Sequence, residues 1–149
     1  MELLKLIALD DDDLKVVSAH LQDAISRIED MAYLPRERRF VMLLNRFDWA
    51  RAVENDSSNS HGYQRRRCAL RFEKVQKAQV RQLSLEDRAG AVELLAVHFE
   101  SSDAPSGYIT LTFAGGGAVR LHVDCVEAEL SDLGPIWKTP RKPEHPRAG

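Results

Sequence analysis

The chain is poor in everything that would make its chemistry easy to guess. It holds two cysteines, Cys68 and Cys125, too few for a disulfide framework. It has no apolar run of the roughly 18 residues that mark a membrane helix. Its net charge is −2, so no long-range field draws the whole molecule to nucleic acid or anionic lipid. The opening "MELLKLIALDDDD" has too short an apolar stretch and the wrong flanking charge for an export signal. The cytoplasm is therefore the expected compartment. There, both cysteines are expected as reduced, buried, small hydrophobic side chains.

What is present is an ordinary globular composition, 44% hydrophobic and 30% charged over 149 residues. A single domain of that length buries about two-thirds of the surface its unfolded chain exposes, so no metal or disulfide is needed to hold it; no cofactor is expected. The expected organisation is one globular domain over 1–137 and a disordered, Pro-rich tail over 138–149.

"KLIAL" (5–9) reads as a strand. In "LKVVSAHLQDAISRI", Leu14, Val17, Leu21 and Ala24 recur at three- and four-residue steps, the mark of one helix face. Asp10 to Asp13 read as its cap and acidic first turn. A calcium loop would instead space its carboxylates around a glycine. "DMAYLPRERRFVMLLNRFDW" (30–49) reads as a β-hairpin. A loop over Pro35–Arg38 sets Tyr33 opposite Phe40 and Met31 opposite Met42. "FVMLL" is apolar at both parities, so that strand is expected to be covered on both sides. Asn45, Arg46 and Asp48 flank Phe47 and Trp49 in a packed corner. The polar stretch 50–64 reads as a long surface loop. From 65 to 83, Cys68, Leu70 and Phe72 alternate, and the parity slips at Val75, a bulge or a strand end. "AVELLAVHFE", "YITLTF" and "AVRLHVDC" read as further strands, and "VEAELSDLG" as a short helix or an irregular strand end.

The three glycines 115–117 invite a phosphate-loop reading. That reading requires a helix after them, whose free N–H groups and dipole meet the anion. The sequence instead continues with Val119, Leu121, Val123 and Cys125 alternating with Arg120, His122 and Asp124, which is strand period. A three-residue loop at 115–117 sets Phe113 opposite Val119, Leu111 opposite Leu121 and Ile109 opposite Val123. Gly117 then takes the left-handed conformation.

Two constellations bear on chemistry. His122 and Asp124 share a strand face near Thr110, as a base and its orienter would in a small hydrolase-like enzyme. A solvated sheet face looks the same, and no nucleophile is placed nearby. The second is the basic strand 65–81, with Arg65, Arg66, Arg67 and Arg71 at its head, then Lys74, Lys77 and Arg81. Such a row suits phosphate contacts, but it lacks the interleaved aromatics that stack bases. A charged edge strand that blocks sheet-to-sheet association is the plainer account. Arg65, Arg66, Arg67 and Arg71 are the candidate binding residues, and no catalytic or metal-ligating residue is assigned. The apolar positions are expected to go into closing a sheet against its cover, leaving no buried polar cluster fit for catalysis.

The segments "LKLIALDDDDL", "VVSAHLQDA", "AYLP", "LNRFDW", "RRRCALRFE", "LTFAGGGAVRL" and "CVEAELSDLGPIW" together resemble small alphaproteobacterial proteins grouped as domain-of-unknown-function family 2948. The resemblance covers roughly residues 3–137. It implies a bacterial cytosolic protein and brings no reaction, cofactor or catalytic residue with it. The expected fold is α+β, a curved and mainly antiparallel sheet with one main helix after the first strand. A pleckstrin-homology-like barrel is the alternative. The expected function is a non-catalytic binding or scaffolding module acting through protein–protein contacts, with a protein partner or a homodimer. The alternatives are the hydrolase-like enzyme using His122 and Asp124, and nucleic-acid binding through the basic strand 65–81. The balance of residues is against an enzyme, and against nucleic acid, membrane or metal as partner.

Overall fold

A computed structural model describes residues 3–48 and 63–139, with side chains for all but 63–64 and 135–139. Its elements in chain order are β1 (Lys5–Ala8), α1 (Asp11–Leu21), β2 (Ala24–Arg27), a single 3₁₀ turn (Ile28–Asp30), β3 (Met31–Leu34), β4 (Arg39–Phe47), β5 (Tyr63–Phe72), β6 (Val75–Arg81), β7 (Ala91–Ser101), β8 (Gly107–Phe113), β9 (Ala118–Val123) and β10 (Ala128–Thr139). Ten strands join in one sheet of order β1-β10-β5-β4-β2-β7-β8-β9-β6, with β3 beside β4. All pairings are antiparallel. The sheet curls round one hydrophobic core without closing.

The curved antiparallel sheet with a helix after the first strand is therefore present, but the fold is mainly β. Among the described residues, one α-helix of 11 residues is too little to make it α+β. The pleckstrin-homology-like alternative needs a closing helix at the C-terminal end. Ala128–Thr139 is a strand instead, inserted between β1 and β5.

The helix forms for local reasons. Asp10 caps it by accepting from the Asp13 amide at 2.8 Å, and Asp13 accepts in turn from the Leu9 amide at 3.0 Å. The first bond satisfies a donor that the helix start leaves orphaned, and the second ties the residue before the cap to the first turn. Leu14, Val17 and Leu21 bury their face in the core. The Ser18 hydroxyl accepts from the Val97 amide of β7 at 2.9 Å. The helix stops sooner than its apolar spacing suggests. Asp23 takes a left-handed φ of 64°, which turns the chain, and Ala24 opens β2. There, Ile25 pairs with both Asn45 and Glu93. Sheet pairing on both sides outweighs helix periodicity over this stretch.

The β3–β4 hairpin has the expected register, Met31 opposite Met42 and Tyr33 opposite Phe40. On β4, Phe40, Met42 and Leu44 face the core and are at most 5% exposed. Val41 and Leu43, on the other face, are half-buried. The glycine hairpin is also present, but its register differs by two residues. Leu111 faces Val119 and Ile109 faces Leu121, and the Phe113 amide donates to the Gly117 carbonyl. The loop is therefore 114–116. Gly115 and Gly116 carry the positive φ values, 90° and 96°. Gly117 is a close-approach glycine instead: a Cβ there would lie 2.4 Å from Leu83 Cδ2. No helix follows, so the glycines do not build a phosphate loop.

The parity slip at Val75 is a strand end. Glu73 and Lys74 form a turn, with Lys74 at φ 60°. This divides the expected single basic strand into β5 and β6, which lie far apart in the strand order. β5 is an interior strand paired on both sides; only β6 is a charged edge. The expected loop 50–64 lies outside the described residues apart from the first two residues of β5. The expected tail 138–149 does so apart from Lys138 and Thr139, which end β10.

Candidate binding surface

The inner face of the sheet holds charges that the sequence reading did not anticipate. Arg46 on β4 and Arg66 on β5 are cross-strand partners in phase with the core residues Leu44 and Cys68, so both point inward. Arg46 donates Nε to Asp132 Oδ1 and Nη2 to Asp132 Oδ2, each at 2.9 Å. The two side chains are 5% and 1% exposed. Asp132 also accepts from the Leu4 amide at 2.8 Å. Arg66 donates Nε to Asp48 at 2.9 Å. Burial and the charge of Arg46 lower the pKa of His20, on α1 beside this cluster. The interior therefore contains a buried cluster of ion pairs. Its members neutralise one another, which makes it a structural layer at one end of the core. Burial pushes the Cys68 thiol up to about 12, so it is held as an inert thiol.

The four candidate arginines of β5 part company. Arg66 faces inward. Arg65, 8% exposed, lies over the Phe47 ring at 5.9 Å and donates to the Asn45 carbonyl at 3.2 Å, with Asp23 and Glu93 as its charge partners. Arg67 meets Asn45 Oδ1 at 3.2 Å and Asp30 at 3.7 Å. Arg71 lies between Glu73 at 2.8 Å and Glu129 at 3.3 Å. Each has an acidic neighbour, and they do not converge on one groove.

A cluster of unpaired cations lies elsewhere, on the outer face of β6, β9, β8 and β7. Pairing registers build three rows across these strands. The first is Lys77, His122, Tyr108, Glu100; the second Gln79, Arg120, Thr110, His98; the third Arg81, Ala118, Thr112, Ala96. The neighbouring residues in each strand point into the core, and the helix packs on that inner side. Lys77, Gln79, Arg81, Arg120, His98 and Glu100 are all exposed. Arg120 sits 3.9 Å above the Tyr108 ring, and His122 stacks on the same ring at 4.9 Å. Among the described residues, Lys77, Arg81 and Arg120 have no ion pair, whereas Lys5, Lys15, Arg38, Arg39, Arg46, Arg66, Arg67 and Arg71 all do. Glu100 is the one carboxylate in the three rows.

His122 and Asp124 are near each other but differently committed. Asp124 accepts from Gln76 and pairs with Arg38, and these bonds hold its carboxyl below the usual range. His122 is committed to Tyr108 by stacking. Strand alternation alone places Arg120, His122 and Tyr108 on one face. What it lacked was the pairing of β6 with β9, which adds Lys77, Gln79 and Arg81. Among the described residues there is no group of three or more His, Cys, Asp or Glu arranged for a metal ion, and no helix long and apolar enough to cross a membrane.

No curated protein and no solved structure matches the chain. One family does, over residues 4–145, nearly the whole length of the sequence, and the protein therefore belongs to the family described as protein of unknown function (DUF2948).

Proposed function

We propose that this protein is a non-catalytic binding module that holds an acidic protein partner against the open outer face of β6, β9 and β8. The observation that carries this reading is the contrast in charge pairing. Eight cations elsewhere, most of them on the strands, are paired with carboxylates, while Lys77, Arg81 and Arg120 cluster unpaired on one exposed face with Glu100 as its one carboxylate. An unmatched patch of one sign favours a partner of the other. Two features favour protein over nucleic acid. Tyr108 is already engaged by Arg120 and His122, so it offers no free stacking platform. The net charge of −2 also opposes a polyphosphate beyond the patch.

The test is fluorescence anisotropy at low salt with labelled octaglutamate and, separately, a labelled oligothymidine. The reading expects the peptide to bind, with affinity falling as salt rises and falling about tenfold or more in Lys77→Glu/Arg120→Glu. Binding of the oligonucleotide alone transfers the face to nucleic acid, and binding of neither removes the proposal.

A specific observation also favours a second copy of the chain as partner. β1 is the far edge of the sheet, and Leu3, Ile7, Leu9 and Leu133 near it are each at least 50% exposed. Sedimentation at micromolar concentration then reports a dimer that Ile7→Lys dissociates.

A further inference from the structure

Building on that reading, we infer that the partner binds as an added β-strand, in the seam between β6 and β3, and that it is an extended segment alternating acidic with apolar residues. β6 ends the strand order, so one of its edges pairs with β9 and the other has no strand among the described residues. β3 likewise pairs with β4 alone. The two strands are bridged at one end. Tyr33 Oη donates to the Gln76 carbonyl at 3.1 Å, and the Val75 amide donates to the Arg38 carbonyl at 2.9 Å. Beyond that end, no hydrogen bond joins them among the described residues.

The side chains along the seam have a period of two. Ala78 and Val80 pair with Leu121 and Val119 and share their inward face. Val119 and Leu121 are sealed, at 2% and 0% exposed, but Val80 is 44% exposed although it points the same way. The cover it lacks would be a strand beyond β6. Across the seam, Met31 and Tyr33 are also incompletely buried against the core. The alternate positions of β6 are Lys77, Gln79 and Arg81 on the outer face. A strand added to β6 would place every second side chain over Val80 and Ala78 and the others beside Lys77 and Arg81. Main-chain hydrogen bonds supply affinity in such a mode, and alternate side chains supply selectivity. The charge of the outer row makes the complementary residues acidic, and the aliphatic inner row makes them apolar.

The experiment separates this mode from charge attraction alone. Two labelled eight-residue peptides of identical composition are compared, one alternating Asp with Val and one with the four Asp and four Val in separate blocks, alongside octaglutamate. Strand addition expects the alternating peptide to bind at least tenfold tighter than the block peptide. It also expects new hydrogen-exchange protection at amides 77–81 of β6. Val80→Asp should abolish the preference while octaglutamate binding persists. An alternating peptide N-methylated along one edge should lose the preference with the wild-type protein, so the reading does not rest on one variant folding. Equal binding of the two isomers without protection of β6 overturns the inference and leaves the charged face standing. Failure of all three peptides removes both.

Discussion

Replacing Asp132 by alanine should be the most damaging single change on the inner face. The carboxylate is 1% exposed and accepts three hydrogen bonds, two from Arg46 and one from the Leu4 amide. Its loss leaves a buried guanidinium without a counter-charge, which costs about 3–5 kcal/mol. It also orphans a backbone donor, which places the expected value in the upper part of that range. Against a total stability of about 5–15 kcal/mol, this is a large fraction. With a urea m-value of about 1.5–2 kcal/mol/M, the midpoint should fall by roughly 2 M. The double variant Arg46→Met/Asp132→Leu removes both charges together, and should be more stable than Asp132→Ala despite having one more substitution. Acid supplies an independent reading. Burial pushes the Asp132 carboxyl up, but the hydrogen bond from Arg46, the Leu4 amide and the charges of Arg46 and Arg66 hold it below its ordinary value. A depressed folded pKa contributes stability at neutral pH that is lost as pH falls through it. The gap between wild type and Asp132→Ala should therefore narrow below about pH 4. A loss under 1 kcal/mol in urea at pH 7, or a double variant weaker than the alanine variant, would refute the account.

The opposite sign applies at Glu93, where burial and then the hydrogen bond and charge of Asp23 push the carboxyl up to about 7. A raised acid pKa gives stability that is present at low pH and lost as pH rises toward 7. Melting temperatures from pH 5 to 8 should show that decline in wild type and a flatter profile in Glu93→Gln. Gly117→Ala should cost about 1–3 kcal/mol by chemical denaturation, because its Cβ would lie 2.4 Å from Leu83 Cδ2 and 3.0 Å from the Gln82 carbonyl. Titration with a thiol-reactive disulfide at pH 8 should leave Cys68 unmodified in the native protein and expose it on unfolding, since burial pushes it up to about 12.

Short-range patterns were the legible part of this fold. The Pro35–Arg38 loop and the registers across it follow from proline's fixed φ and from pairing apolar with apolar. The glycine hairpin was legible in face but not in register. A shift of two residues leaves every side chain on the same face, so matching Phe113 with Val119 and matching Leu111 with Val119 look equally good. The arrest of α1 before Ala24 depends on Asp23 adopting a left-handed turn, and on two partner strands distant in sequence. Arg46 and Arg66 were the missed signal. Arg46 is in phase with Phe40, Met42 and Leu44, and Arg66 with Cys68, Leu70 and Phe72, so the alternation already pointed both inward. Their acidic partners could not be read off. Asp132 is 86 residues from Arg46 along the chain, and nothing local marks it. The basic run 65–81 misled for a related reason: contiguous charge in sequence was divided by a turn at Lys74 between two distant strands.

The place of β10 has a consequence for how the chain acquires its fold. β10 is inserted between β1 and β5, so the first strand has no neighbour in the sheet until the last one arrives. Closing contacts of such long sequence separation raises contact order and slows folding. During synthesis, β1 and one edge of β5 would stay unpaired until β10 had left the ribosome. Completion of the sheet therefore waits on β10, and until it emerges the nascent protein would present two open strand edges to chaperones.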